Sequence, residues 1–222
     1  MKRLARRIAY GFKRLVFKLS PALAARWHID FRLRAPSREF LERQIFGYVN
    51  AAAQRGELEG KLLFVGLDKH NWHYPRLLAP EFHSIDIERG NAVYGPPGRH
   101  IVGSALDISR YYEPESFDVV IANGLIGFGL DTEADFDRLM RECHTVLACG
   151  GVLVLGYNDR PERTPFRIQR TRGYALFEEF VPPIEGVQGA HHRVDDHFAH
   201  RYAFLRKTGP ARGRDRRGQR AG

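Results

Sequence analysis

The amino-acid sequence predicts a doubly wound α/β fold with a mostly parallel central sheet. Short apolar runs, such as LLFV at 62–65 and FDVVIA at 117–122, alternate along the chain with helical patterns. A run that is apolar at nearly every position is typical of a strand with both faces buried. Strands of this kind, separated by helices, form a parallel sheet that carries helices on each face.

Five strands and two helices make up this predicted core. The predicted strands span 62–65, 83–87, 100–103, 117–122 and 151–156, with a tight turn at 149–151 before the last of them. The first helix is expected to begin at Ser37, a suitable N-cap, and to end near Ala53. The second is expected at 133–147. Each helix carries its apolar residues on one stripe, so each should cover one face of the sheet.

The connections are less regular. Residues 72–78 are predicted as a helix start or a turn-rich loop, and residues 90–99, with three Gly and two Pro, as a loop. Residues 157–174 show no clear period. Two further strands are expected at 175–181 and 197–205, and the second could enter the sheet antiparallel at its edge.

The chain therefore divides into three predicted parts. Residues 1–36 form a basic amphipathic segment, residues 37–207 form the α/β domain, and residues 208–222 form a disordered basic tail.

The net charge of +9 is concentrated at the two ends of the chain. Residues 1–29 hold eight Lys or Arg and no acid, and residues 206–222 hold seven basic residues and one acid. The ends together carry +14, which leaves about −5 for residues 30–205. Nucleic-acid enzymes line their clefts with positive charge to neutralise phosphates, so an acidic body disfavours a nucleic-acid partner.

The N-terminal segment predicts a basic amphipathic helix, with a break at Ser20-Pro21 before a second helical piece. The apolar residues at helical spacing are Leu4, Ile8, Phe12, Leu15 and Leu19, and seven Lys or Arg cover much of the remaining surface. Such a helix either lies in the interface of an anionic membrane or packs on its own domain or on a partner. The sequence leaves both interpretations open.

The expected location is the cytoplasm, with attachment to the inner face of the membrane if the basic helix binds lipid. No stretch is long and apolar enough for a transmembrane helix, and Lys13, Arg14 and Lys18 interrupt any signal-like run. Cys143 and Cys149 lack metal or redox spacing and are interpreted as small apolar residues of a protein in a reducing compartment.

Eight candidate site residues, six of them glycine or polar, follow four of the predicted strands at the edge where open α/β sheets bind ligands. These residues are Gly66 and Asp68, Asp86 and Ile87, Leu106 and Asp107, and Asn123 and Gly124. Asp86 lies twenty residues beyond Gly66, about where a carboxylate is needed to hydrogen-bond the hydroxyls of a bound ribose. The pattern predicts a nucleoside-type ligand across the strand ends.

The order of these segments resembles the successive motifs of the class I S-adenosylmethionine-dependent methyltransferases. The segments are LLFVG, SIDIE, VGSALDIS, SFDVVIANG and LACGGVLVLG within roughly 60–155, and FAHRYAFLRK resembles the family's closing edge strand. The resemblance implies a Rossmann-like fold and S-adenosylmethionine as the cofactor. The implied contacts are Gly66 beside the methionine part, Asn123 with Gly124 on the floor near the methyl group, Asp86 with its neighbour Ile87 at the ribose, and Leu106 and Asp107 at the adenine.

The loop after the first strand departs from the family pattern. The family has an acid in this strand and three alternating glycines after it. Here Phe64 stands in the acid's place, and Asp68 and His70 replace the second and third glycines. Those glycines let backbone approach the cofactor closely. Either Asp68 takes over the role of the missing acid, or the pocket no longer binds the cofactor.

Two functions from different classes are therefore carried forward. The first is an S-adenosylmethionine-dependent methyltransferase whose acceptor, a small molecule or a saccharide or lipid-linked intermediate, sits under residues 157–188. The second is a methyltransferase-like binding or scaffold protein at a membrane surface that has lost cofactor binding. A dehydrogenase is disfavoured because the Gly-x-Gly-x-x-Gly turn is absent after Val65.

No residue receives a catalytic assignment from the sequence. Methyl transfer depends mainly on alignment of the acceptor with the methyl group, so a base is not always required; His70, His73 and Asp159 are the candidates for one. The histidines at 191, 192, 197 and 200 do not predict a metal site, because strand residues three apart face opposite sides of a sheet.

Overall fold

The computed structural model describes residues 2–58 and 60–209, whose strands all belong to one sheet. The strands are β1 (Lys61–Val65), β2 (Glu81–Asp86), β3 (His100–Val102), β4 (Phe117–Asn123), β5 (Leu147–Asn158), β6 (Phe177–Glu179), β7 (His191–Arg193) and β8 (His200–Lys207). Their order is β3-β2-β1-β4-β5-β8-β6, and β7 also pairs with β8. The predicted mostly parallel α/β sheet with an antiparallel edge is confirmed.

The first five strands form the parallel part of the sheet. β1 lies between β2 and β4, so that Val65 pairs with Ile85 on one side and Ala122 on the other. β3 extends the sheet beyond β2, and β5 extends it beyond β4. Because the chain adds strands first to one side of β1 and then to the other, the strand order reverses between β1 and β4. A crevice opens at such a reversal, outside the carboxyl ends of the strands.

The last three strands close the sheet in antiparallel fashion. β8 pairs antiparallel with β5 on one side and with β6 and β7 on the other. The predicted antiparallel strand is therefore present, but it begins at His200 and is itself covered by two short strands. β7 was not predicted, because three residues pairing across a sheet leave no period in the sequence.

Helices cover both faces of the sheet. The helices of the domain are α3 (Pro36–Phe40) and α4 (Phe46–Gln54), joined by a π-helical turn (Leu41–Ile45), and α5 (Glu133–Val146). Val49 and Ile45 lie in a core with Leu62 and Phe204, on one face. α5 packs on the opposite face, where Phe136 and Met140 are fully buried with Leu63 and Leu153.

The N-terminal segment folds as α1 (Lys2–Leu19) and α2 (Pro21–Arg26), and Ser20 between them accepts a hydrogen bond from the N–H of Leu23 at 3.1 Å. The predicted break at Ser20-Pro21 is therefore confirmed. Val16 and Phe17 are buried in a small separate core with Trp72 of the domain. None of the described helices is long and apolar enough to cross a membrane.

Several element boundaries differ from the sequence prediction. The first domain helix begins at Pro36 after Ala35, so Ser37 is not its N-cap. Proline suits the first helical position because its missing N–H is not needed there. The turn predicted at 149–151 is a bulge within β5, where Gly150 has φ +78° and the register against β4 shifts.

The two less regular segments contain short 3₁₀ helices. Within 72–78 one covers Tyr74–Arg76, and the loop predicted at 90–99 begins in another, Arg89–Tyr94. The strand predicted at 175–181 is reduced to β6, with a 3₁₀ turn before it. Of the predicted disordered tail, residues 210–222 lie outside the described residues.

Candidate active site

A cavity of about 470 Å³ lies at the reversal of strand order, which is where the sequence predicts a ligand. The ends of β1 and β4 and the loops after them supply Gly66, Asp68, His70, Asn71, Asn123 and Gly124. Residues of the segment 33–38, with Phe128, Asn158, Phe198 and His200, supply the rest. Its volume is in the range of about 300–1,000 Å³ that small-molecule and cofactor pockets occupy.

Gly66 turns the chain out of β1 in a way that excludes other residues. Its φ is +87°, and a Cβ at this position would lie 2.9 Å from Cδ2 of Leu125. Its N–H donates to the carbonyl of Ile85 at 2.9 Å, and its own carbonyl accepts from Nδ2 of Asn71 at 3.3 Å. The positive φ at this position favours glycine, and a Cβ would in addition force the Leu125 side chain to move.

Side-chain hydrogen bonds hold the loop that follows, in place of the missing glycines. The N–H of Asp68 donates to Oδ1 of the buried Asn71 at 2.6 Å, and Oδ1 of Asp68 accepts from the N–H of His70 at 2.7 Å. His70 donates from Nδ1 to the carbonyl of Phe31 at 2.8 Å, which ties the loop to the segment at 30–34. The loop then continues into turns and a 3₁₀ helix, with no α-helix before β2.

The position of the family's acid is part of the hydrophobic core. Phe64 is 1% exposed and packs against Phe82 and Tyr74, with ring centroids 6.0 and 5.3 Å away. A carboxylate there would be buried without a partner. Asp68, which lines the cavity, is the acid near the end of β1 that could serve a cofactor.

His200 fixes the floor of the cavity. Its Nδ1 lies 2.8 Å from the side-chain amide of Asn158, and its Nε2 lies 3.1 Å from that of Asn123. Burial lowers the pKa of His200 to about 4, so the imidazole is neutral at pH 7. A neutral imidazole donates through one nitrogen only, so one of the two asparagines presents its NH₂ group and the other its oxygen. A Cβ at Gly156 would collide with the Asn123 side chain, so the glycine also maintains this floor.

Arg38 brings a positive charge to the lining of the cavity. The start of its helix is held to the sheet because the hydroxyl of Tyr202 donates to the carbonyl of Ser37 at 2.8 Å. Phe40 stacks on His192 and on Tyr202, with centroids 4.4 and 5.6 Å apart. Arg38 itself is half-buried and donates from Nη1 to the hydroxyl of Tyr74 at 3.4 Å.

Sequence reasoning missed Arg38. The available signal was a basic residue in the first turn of a helix, where the helix dipole disfavours positive charge.

The other four predicted site residues lie along the neighbouring strand ends, outside this cavity. Oδ1 of Asp86, at the end of β2, accepts from the N–H of Glu88 at 2.8 Å and from Nδ2 of Asn91 at 3.0 Å. Ile87 is 69% exposed. Backbone hydrogen bonds keep these ends in line, since Gly103 after β3 donates to the carbonyl of Asp86 at 2.9 Å.

Leu106 and Asp107 follow β3 in a 3₁₀ segment and are both held by Arg138 of α5. Its Nε donates to the carbonyl of Leu106 at 2.7 Å, and its Nη2 lies 2.5 Å from Oδ1 of Asp107. Of the eight predicted residues, the structure thus gathers Gly66, Asp68, Asn123 and Gly124 around one cavity. The remaining four form a row beside it.

The three candidate bases lie at three different places in the structure, and one of them lines the cavity. His70 lines the cavity, whereas His73 is 1% exposed and contacts Oε1 of Glu42 at 3.2 Å through Nε2. Asp159 pairs with Arg201 at 2.6 Å and lines a smaller neighbouring pocket. Among the described residues, no group of three or more His, Cys, Asp or Glu is arranged to hold a metal ion.

Comparison with known proteins agrees with this architecture. Residues 75–155 match the family model of the methyltransferase domain. The N-methyltransferase NodS from Bradyrhizobium japonicum WM9, in complex with S-adenosyl-L-homocysteine, aligns with a TM-score of 0.51 at 13% identity over 76% of this chain and 91% of that one. No curated protein sequence matches the chain.

Two further solved structures show the same fold. A TehB-like S-adenosylmethionine-dependent methyltransferase from Corynebacterium glutamicum has a TM-score of 0.52 at 16% identity, over 86% of this chain and 99% of that one. The 1,6-didemethyltoxoflavin-N1-methyltransferase from Burkholderia thailandensis has a TM-score of 0.50 at 12% identity, over 82% and 94%. The resemblance to the class I S-adenosylmethionine-dependent methyltransferases is confirmed, and the cofactor that the family implies is S-adenosylmethionine.

Proposed function

We propose that this protein is an enzyme that transfers a methyl group from S-adenosylmethionine to an acceptor. The observation that carries the proposal is the cavity at the strand reversal, where an acid, an arginine and an asparagine floor converge. Three of the residues that line the cavity, Asn123, Gly124 and Phe128, belong to the segment 75–155 that matches the methyltransferase domain. The lining combines apolar and charged side chains, which suits an amphiphilic ligand with a charged end. The residues present therefore fit the implied cofactor.

The cofactor would extend from this cavity along the row of strand ends. Its methionine part would lie at Gly66 and Asp68, and its ribose at Asp86, whose Oδ1 is already held by the loop after β2. That fixed orientation leaves Oδ2 of Asp86 to accept from the ribose hydroxyls. The adenine would cover the exposed side chain of Ile87 and reach the segment at 106–107.

When bound, the cofactor supplies an electrophilic methyl group, and the protein's task is to align an acceptor with it. Asn123 would face the methyl group, and Gly124, with φ +72° and no heavy atom within 4 Å of a built Cβ, leaves room beside it. His200 holds Asn123 and Asn158 in place, so we assign it a positioning role. Phe128 and Phe198, both 57% exposed, line the cavity on the side where an acceptor would enter.

The acceptor is proposed to be a small molecule, or a saccharide or lipid-linked intermediate. The neighbour from Burkholderia thailandensis is a structure with bound 1,6-didemethyltoxoflavin, a small molecule, which supports the first class. Support for the lipid-linked class comes from the helices before the domain.

We propose that α1 and α2 attach the protein to an anionic membrane surface at the cytoplasmic face. Four apolar side chains at helical spacing on α1 point to solvent: Ile8 is 64% exposed, Phe12 57%, Leu15 54% and Leu19 76%. Trp27, just after α2, is 53% exposed, and tryptophan is favoured at membrane interfaces. The first 29 residues contain eight basic residues and no acid, which complements anionic headgroups.

Thermal unfolding with and without S-adenosylhomocysteine tests the cofactor site. A ligand at about 100 times its Kd adds about 2.7 kcal/mol to the free energy of unfolding, so the midpoint should rise by several degrees. Asp86→Asn should lose most of this rise. Glu88→Gln, an exposed residue in the same loop, should retain it.

The loop after β1 differs from the family pattern, and this difference favours a second candidate function, a scaffold or binding protein that binds no cofactor. In that case the folded wild-type protein would unfold at the same temperature with and without S-adenosylhomocysteine. A midpoint rise that Asp86→Asn removes and Glu88→Gln keeps would exclude this alternative.

A further inference from the structure

We propose that Asp68 and Arg38 form a charged clamp for the amino acid end of the cofactor. Asp68 would bind the ammonium group and Arg38 the carboxylate. The inference rests on the proposed function, and it gives this chain a means of holding the methionine part that does not depend on the missing glycines.

The two side chains line the same cavity from different elements. Asp68 belongs to the loop after β1, and Arg38 to the first turn of α3. They carry opposite charges, and the side-chain hydrogen bonds that the structure gives them go to Tyr74 and to the N–H of His70, so no salt bridge joins the two in the described structure. A ligand that carries both charges on one carbon atom would lie between them, since the α-ammonium and α-carboxylate groups of the methionine part have this arrangement.

Neither side chain forms a salt bridge with another described residue. Arg38 contacts no carboxylate among the described residues, and its recorded polar partner is the hydroxyl of Tyr74 at 3.4 Å, near the limit of a hydrogen bond. Asp68 accepts the N–H of His70 through Oδ1 and pairs with no cation in the described part of the chain. Both side chains are half-buried, and both remain accessible to a ligand in the cavity.

The backbone that carries each of the two groups is also anchored before any ligand binds. The loop around Asp68 is closed by the 2.6 Å bond to Asn71, which is itself buried. The start of α3 is bonded to β8 through Tyr202 and Ser37 at 2.8 Å. A preorganised pair of charges loses little entropy on binding and discriminates strongly against a ligand that lacks one of them.

The clamp gives a physical account of the altered loop. In the family, glycines bring backbone groups close to the cofactor. In this chain the loop carries a carboxylate at Asp68, and Arg38 lines the same cavity. Ionic contacts from these two side chains to the cofactor would replace the contacts that backbone groups make in the family. Charge-assisted hydrogen bonds are about twice as strong as neutral ones, which makes the exchange reasonable in energy.

The test is calorimetric titration of the full chain, without acceptor, against three ligands: S-adenosylmethionine, decarboxylated S-adenosylmethionine and 5′-methylthioadenosine. The second keeps the amine and lacks the carboxylate, and the third lacks both. Leaving the acceptor out ensures that any anion bound by Arg38 is the carboxylate of the cofactor and not that of an acceptor.

The variants are Arg38→Met, Asp68→Asn and the control Arg34→Met. Asparagine at 68 keeps an oxygen to accept the N–H of His70, and Arg34 is exposed and does not line the cavity. Arg38→Met should weaken S-adenosylmethionine binding tenfold or more and leave the decarboxylated ligand unchanged. Asp68→Asn should weaken both of these ligands, and neither variant should alter binding of 5′-methylthioadenosine.

Four other outcomes overturn the clamp in distinguishable ways. An Arg38→Met variant that binds all three ligands as the wild type does, or that weakens all three equally, would show that Arg38 has no role or a structural one. If Arg34→Met lost as much S-adenosylmethionine binding as Arg38→Met, the effect would come from the loss of one positive charge near the cavity and not from a specific contact with Arg38. A folded wild-type protein that binds none of the three ligands would reject the proposed function as well.

Discussion

His200 is the residue whose protonation state matters most for the candidate site. It lies between Asn123 and Asn158, is 6% exposed, and its pKa is lowered to about 4 by burial. The unfolded chain binds a proton at this histidine near pH 6.5, whereas the folded protein does not until about pH 4. The contribution of His200 to stability is therefore complete above pH 6.5 and is lost as the pH falls from 6.5 towards 4.

We expect the stability of the wild-type protein to fall more steeply with acid than that of His200→Gln. At pH 5 the difference attributable to this one group is about 2 kcal/mol relative to pH 7, by proton linkage. Urea unfolding of both proteins at pH 7 and pH 5 measures it. The other histidines are present in both proteins, so their effects cancel. Parallel losses in the two proteins would contradict the assignment of a neutral, buried imidazole.

Gly66 provides a second prediction at the residue scale. Alanine at this position would adopt φ +87° and place its Cβ 2.9 Å from Leu125, so Gly66→Ala should destabilise the fold by about 2 kcal/mol or more. Gly98, with φ +72° and nothing within 4 Å, is the matched control and should lose only about 1 kcal/mol. Chemical denaturation measures both. Equal losses would show that the contact with Leu125 has no cost.

The residues that sequence reasoning found and those it missed differ in one physical respect. Gly66, Asp86 and Asn123 stand directly at strand ends, and an apolar run in the sequence indicates where a strand ends. Arg38 and His200 line the cavity because α3 and the start of β8, which are far away in sequence, lie beside the ends of β1 and β4. That juxtaposition depends on long-range packing, which leaves no mark on local sequence.

At the scale of elements, the buried strands could be predicted because their apolar runs are fully buried in the structure. β1 and β4 agree with the sequence prediction to within one residue at each end. The short strands β6 and β7 could not be delimited, since their pairing with β8 is what defines them. The π-helical turn at Leu41–Ile45 was also not predicted, because the apolar stripe of one helix continues through it.

The exposed stripe on α1 yields the prediction for the membrane proposal. Replacing Phe12 and Leu15 together by Glu should reduce sedimentation with vesicles that contain phosphatidylglycerol by tenfold or more, because apolar area is lost and negative charge is added. The matched control is Val181→Glu with Leu176→Glu, two other exposed apolar side chains (53% and 39%). It should sediment as the wild type does.

Phe17, buried on the opposite side of α1, ties the helix to Trp72 with ring centroids 4.7 Å apart, so the stripe variants should leave the fold unchanged. Unaltered sedimentation of the Phe12 and Leu15 double variant would remove the membrane proposal and favour a protein partner for α1.

At the scale of the whole molecule, different parts of the chain would contact the two ends of the proposed ligand. Residues 75–155, which match the methyltransferase family, contribute the ends of β2, β3 and β4. Most of the cavity lining comes from segments outside that match, namely 33–38, 66–71 and 198–200, together with Asn158. The family resemblance therefore predicts where a nucleoside would lie, and segments outside the matched residues line most of the cavity that we propose for the methionine part and the acceptor.

The central claim is that this chain binds S-adenosylmethionine across the carboxyl ends of its parallel strands. The most direct measurement is calorimetric titration of S-adenosylmethionine into the wild-type protein and into Asp86→Ala. The account predicts one site with micromolar affinity in the wild type and at least a tenfold loss in the variant, since the carboxylate of Asp86 would bind the ribose hydroxyls. Absence of binding by the folded wild-type protein, or equal affinity in Asp86→Ala, would contradict it.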